Sequence, residues 1–158
     1  MSTEKLELRM LRTEDESSFR MAVEEFAREM PPWQFAFGFD DSVPFANYVK
    51  QLDRHSRGID IPAAFVPNTF FVGVVAGVIV GRLSLRHSLN RYLETVGGHI
   101  GYGVVPSQRR RGYATQMLWL AIPIAASLGI SKALITCDAD NVASRRVVEA
   151  CGGVFEGI

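Results

Sequence analysis

Cysteine is scarce in this sequence of 158 residues. Cys137 and Cys151 are too few for a disulfide framework and do not form a C-x-x-C pair. Three histidines leave little from which to build a structural zinc site. Charge of one sign is not in excess either, since 17 Lys+Arg balance 17 Asp+Glu. That balance argues against a dedicated nucleic-acid binder and against a polybasic membrane anchor. The longest apolar run, Phe70 to Gly81, is 12 residues, where a membrane span needs about 20. Met1 to Arg12 is charged and carries no apolar core, which argues against a signal peptide. Repeats, low-complexity tracts and long linkers are also missing. The expectation is a cytoplasmic, metal-free protein with free thiols and one domain over residues 1–158.

What is present is globular: 47% apolar and 22% charged. Lys5 to Arg12 alternates Leu6, Leu8 and Met10 with polar residues, as a half-buried strand does. Thr13 and Glu16 have the spacing of a capping box for a helix ending near Met30, before Pro31-Pro32. A second helix starts near Ser42–Pro44 and runs to Gly58. Thr69–Val75 and Val78–Arg86 flank Ala76-Gly77 as a hairpin. Ser88 to Thr95 is a connector, and Gly98–Val105 a strand ended by Pro106. Gly112–Leu128 is a helix with Gly129 as its stop and a kink at Pro123. A strand over Ile130–Cys137, a helix over Asn141–Ala150 and a last strand from Gly153 complete the order β-α-α-β-β-β-α-β-α-β. This is a mixed α/β fold with helices on both faces of a central sheet. A right-handed crossover would set Gly98–Val105 and Ile130–Cys137 side by side and parallel.

Chemistry concentrates in Arg109-Arg110-Arg111-Gly112-Tyr113-Ala114, where a strand gives way to a helix. The free N–H groups and dipole of a helix start make an anion site. Gly112 lets the backbone approach a phosphate, and the arginines add positive charge. It is not a Walker loop, because no Gly-Lys-Ser/Thr follows. Taken alone, the six residues read equally well as a basic loop that merely caps a helix.

With the later Asn141-x-x-Ser144 and Gly152-Gly153, the segment Arg109–Ala114 resembles the Arg/Gln-x-x-Gly-x-Gly/Ala signature of the GNAT superfamily of acyl-CoA N-acyltransferases. Gly98-His99-Ile100-Gly101-Tyr102 and Thr136-Cys137-Asp138-x-Asp140-Asn141 are similar to an uncharacterised bacterial branch. The resemblance implies an N-acetyltransferase that moves an acetyl group from acetyl-CoA to a primary amine. The acceptor would be a small-molecule amine or a protein N-terminus.

The resemblance also implies roles. The backbone of Val104 and Val105 would hold the pantetheine arm, and the amides of Arg109, Arg110, Arg111, Gly112, Tyr113 and Ala114 the pyrophosphate. Asn141 would contact pantetheine with Ser144 nearby. The Val105 N–H would polarise the thioester carbonyl. An alkylamine of pKa near 10.4 is only ~10⁻³ neutral near pH 7.4, so a base is useful, and His99 is the candidate. Tyr102 is the candidate acid for the leaving thiolate, on the opposite sheet face from His99. Two features depart from the family. The position of the usual tyrosine is Val148, and the sequence ends at Ile158 before the family's closing strands. These departures also fit a non-catalytic acyl-CoA-binding sensor, and an unclosed sheet edge invites a homodimer.

Further candidates surround this set. Trp33, Phe35, Phe37 and Phe39 lie where the family builds its acceptor pocket, and are also read as core and lid packing. Asp40, Asp41 and Asp60 are candidates to attract a cationic amine. His87, Asn90 and Tyr92 follow the hairpin towards the site. Arg145 and Arg146 are candidates for the adenosine 3′-phosphate. Cys137 is read as an inert thiol at the end of a buried strand.

Overall fold

The computed structural model describes residues 5–157. Residues 1–4 of the charged opening stretch, and Ile158, lie outside that range. The elements are β1 (Glu7–Met10), α1 (Glu16–Ala27), α2 (Phe45–Ser56), β2 (Asn68–Val75), β3 (Val78–Arg86), α3 (Arg91–Thr95), β4 (Ile100–Val104), α4 (Tyr113–Ser127) and α5 (Val142–Ala150). The four strands form one antiparallel sheet in the order β1-β2-β3-β4. Its β2–β3 hairpin turns through Ala76 and Gly77, both at positive φ (52° and 77°), the conformation a tight two-residue turn demands.

Helices cover both faces. On one, α1 and α2 bury a cluster centred on Phe19, which is fully enclosed. Its ring centroid lies 5.0 to 5.8 Å from those of Phe35, Phe39, Phe45 and Tyr48. On the other, α4 packs on the sheet and carries α5. Two glycines make room for α4: a Cβ on Gly73 would stand 2.7 Å from Met117 Sδ, and one on Gly81 2.8 Å from Met117 Cε. Helix α4 runs through Pro123 without a break in its assignment. Among the described residues no helix is long and apolar enough to cross a membrane.

The mixed α/β class with helices on both faces matches the sequence reading, but two of the six expected strands do not form. Ile130–Cys137 meets the β4 side of the sheet near its start only. His99 N–H donates to the Leu134 carbonyl (2.7 Å), and Gly97 N–H to Thr136 Oγ1 (2.7 Å). Leu134 N–H donates not to a backbone carbonyl but to His99 Nδ1 (2.9 Å), so the ladder stops there. Gly98, at φ +58°, permits this approach, because a Cβ there would collide with the Leu134 carbonyl. Residues 153–157 take no regular structure. At the first helix the capping is shifted by one residue. Asp15, not Glu16, reaches back, accepting Arg12 N–H at 2.8 Å and pairing with Arg9, while Glu16 pairs with Arg20. Helix α1 also stops at Ala27 rather than near Met30.

Candidate active site

The site is built on the outer side of β4. Val105 N–H donates to the Val80 carbonyl at 2.8 Å, which places Val105 in register with β3. Alternation along an antiparallel ladder then turns the N–H and C=O of Ile100, Tyr102 and Val104 away from β3, towards the open edge. The Val104 carbonyl follows this rule, since it accepts from Arg109 Nε at 3.2 Å. The oxyanion role expected of the Val105 N–H is therefore corrected. That donor is committed to the sheet, and the outward donors are those of Val104 and its alternates.

Beyond β4 the chain makes a 3-10 turn over Pro106–Gln108 and then a loop with two positive-φ residues, Arg110 (65°) and Gly112 (81°). Helix α4 starts at once. Its first backbone bond is Gln116 N–H to the Gly112 carbonyl (3.1 Å), so Tyr113, Ala114 and Thr115 have no helical acceptor for their N–H groups. These orphan donors lie at the positive end of a 15-residue helix, an arrangement whose charge and geometry suit an anion. Arg110 and Arg111 are exposed beside it. Arg109 is not available in the same way. Its guanidinium pairs with the Glu29 carboxylate, and next to it Ser107 donates N–H and Oγ to Glu25, each at 2.9 Å. Glu25 of α1 and Glu29 just beyond its end thus moor the loop.

Tyr102 reaches across the gap between β4 and α5. Its hydroxyl lies 2.7 Å from Ser144 Oγ and donates to the Ser144 carbonyl at 3.3 Å. Burial raises the phenol above its ordinary range, only partly offset by Ser144, so it stays protonated at neutral pH. Asn141 is exposed, and its Oδ1 caps α5 by accepting Ser144 N–H at 3.1 Å. Val148 packs against the α4–α5 cluster.

His99 has a different task from the one expected. Its ring is buried, and Nδ1 accepts the Leu134 N–H, so the neutral ring carries its proton on Nε2. A base needs a free lone pair, and this one is occupied. Burial lowers the ring pKa below its usual 6.5. The sign follows from that depression: the stabilisation is complete above about pH 6.5 and is lost as pH falls towards the folded value. We expect His99→Leu, which strands the Leu134 N–H, to cost about 1–3 kcal/mol in urea unfolding at neutral pH. His99→Gln retains an acceptor and should lose less. Neither should shift the pH dependence of turnover.

Among the aromatic residues, Phe35 is buried and Phe39 packs on Phe19, whereas Trp33 and Phe37 are 38% and 49% exposed. Both lie over Arg82, its guanidinium carbon 4.4 Å from the Trp33 centroid and 5.4 Å from that of Phe37. Sequence reasoning missed Arg82, as it missed Glu25 and Glu29. The smaller candidates have local partners. Asp40 holds Ser42, Asp60 pairs with Arg54, His87 with Thr69, and Asn90 caps α3. Arg145 and Arg146 are exposed on α5. Cys137 is exposed, not at the end of a buried strand.

An open strand edge therefore lies beside the N-terminal end of α4, and comparison with known proteins gives the class to which this arrangement belongs. A GNAT acetyltransferase domain model matches residues 5–154, and the chain belongs to that family. No curated protein matches the sequence. Among solved structures, Mycobacterium smegmatis RimJ in complex with CoA-disulfide is similar at TM-score 0.62 and 21% identity, over 91% of this chain and 68% of that one. The ribosomal-protein-S5-alanine acetyltransferase of Vibrio fischeri gives 0.67 and 17%, over 99% and 84%. AAC(6')-Iy in complex with a bisubstrate analog, CoA-S-monomethyl-acetylneamine, gives 0.58 and 18%, over 98% and 95%.

Proposed function

We propose that this protein is an N-acetyltransferase of one domain that moves an acetyl group from acetyl-CoA to a primary amine by direct attack. The observation that carries the reading is the pairing of an unladdered β4 edge with the orphan N–H groups after Gly112. The first suits an extended amide-bearing arm, and the second suits a pyrophosphate. In this reading the outward backbone of Val104 holds the arm, with Val105 supporting it from the sheet. The loop Arg109 to Ala114 holds the phosphates, with charge from Arg110 and Arg111. Asn141 offers its NH2 to the arm.

The amine nitrogen forms a bond to the carbonyl carbon as the carbon–sulfur bond breaks. Tyr102, protonated and at the gap, gives its proton to the departing thiolate, and Ser144 steadies the phenol. The excess proton on nitrogen leaves to solvent, since His99 cannot take it. The structural neighbours are named as a ribosomal-protein-S5-alanine acetyltransferase and an aminoglycoside N-acetyltransferase. A peptide N-terminus and a small amine therefore both belong in an acceptor panel.

The test pairs calorimetry with acetyl-CoA and thiol release against that panel. Binding with amine-dependent release is expected, and Tyr102→Phe should slow release about tenfold or more with binding retained. Binding without amine-dependent release would instead assign an acyl-CoA sensor. Absence of binding would overturn the reading.

A further inference from the structure

Arg82 lies in the middle of β3, paired across the sheet with Gly103, and is only 3% exposed. A buried guanidinium is normally met by a carboxylate, because desolvating an unpaired charge is costly. Arg82 has none. Its one side-chain hydrogen bond is Nη1 to Ser84 Oγ at 3.0 Å, and its buried Nε has no partner. Among the buried residues the sole acid is Asp15, which is already paired with Arg9. A second cation, Arg86, acts against its charge and itself bonds the Gly97 and Gly98 carbonyls. Burial and Arg86 together pull the Arg82 guanidinium down to about 10.

What covers this cation is aromatic and half open to solvent. Trp33 stacks on it and also fills the space left by Gly103, where a Cβ would stand 2.7 Å from the indole ring. Gly103 precedes Val104, whose outward backbone forms the edge described above. Arg82 thus sits one strand in from the proposed acyl position, on the α1–α2 side, beneath the partly exposed Trp33 ring.

We propose that Arg82 anchors a carboxylate of the acceptor, so that the acceptor is an amine carrying a carboxylate a few bonds from its nitrogen. The inference rests on the transferase reading and narrows its substrate class. The carboxylate takes the unpartnered Nε edge of the fork, and Trp33 moves aside to admit it. Planar, bidentate recognition of this kind suits arginine and not lysine.

The sequence holds two tryptophans, so Trp119→Phe, at an exposed position, leaves Trp33 as sole reporter. That variant, saturated with CoA, is titrated with each L-amino acid and with the matching amide. At least one free acid should change Trp33 fluorescence saturably, its amide binding at least tenfold more weakly. Adding Arg82→Gln should abolish the response, and Arg82→Lys should restore it only in part. Calorimetry with acetyl-CoA, unchanged across these variants, shows that they are folded and keeps this test separate from the transferase reading. The proposal is overturned if no free acid gives a saturable response, if amides bind equally well, or if Arg82→Gln binds as the parent does.

Discussion

Replacing Gly112 with valine should weaken acetyl-CoA binding by about tenfold or more while leaving the fold intact. Gly112 is the N-cap of α4 at φ +81°, and a Cβ there would meet only Gln116 Nε2 at 4.0 Å. Space is therefore not the obstacle. The penalty lies in the backbone, about 1–2 kcal/mol for an L-residue held in the left-handed region and more for a β-branched one. The exposed loop relieves that strain most easily by leaving the conformation, which swings the N–H groups of the cradle off target. Because 1.4 kcal/mol is a factor of ten in affinity, even partial relief registers in calorimetry. Alanine should lose less than valine. An unchanged Kd in the valine variant would show that these amides do not hold the phosphates.

Phe19→Ala should be the most damaging single truncation in the core, costing about 3–5 kcal/mol. Phe19 is fully enclosed and touches four other aromatic rings, so the void cannot be filled by any one of them. A loss of that size is a large share of a typical domain's 5–15 kcal/mol, about a fifth or more, and should appear as a shifted urea midpoint. A cost below about 1 kcal/mol would mean that Phe35 and Phe39 collapse into the space. Because Phe35 also stacks on Phe26, which carries Trp33, loosening here should reach the cover over Arg82.

Where local rules govern, the sequence was legible. Ala76-Gly77 marks its turn to the residue because a two-residue hairpin needs two positive φ angles. The cradle could be read because Gly112 and the following helix are contiguous in the chain. Strand Ile130–Cys137 misled for a physical reason. Its residues have strand propensity, but a strand exists only through a neighbour's backbone, and His99 supplies a side chain instead. Arg82 escaped because Trp33 and Phe37, which cover it, lie far from it in the chain, and no local pattern along Val78–Arg86 carries that contact. The mooring of Arg109 on Glu29 joins residues 80 apart, which no local pattern carries.

The open side of β4 has a consequence for how such a site diversifies. Its outward groups are peptide N–H and C=O, and these are the same whichever side chains the strand bears. Over Ile100–Val104, at about 3.3 Å per residue, they form a rigid ruler running from the cradle. A substituent added at Gly101 or Gly103 would reshape the α1–α2 side without changing the markings on that ruler. In the proposed reading, selectivity for the acceptor and placement of the acyl donor would rest on different atoms of this strand, so that one can drift while the other stays put.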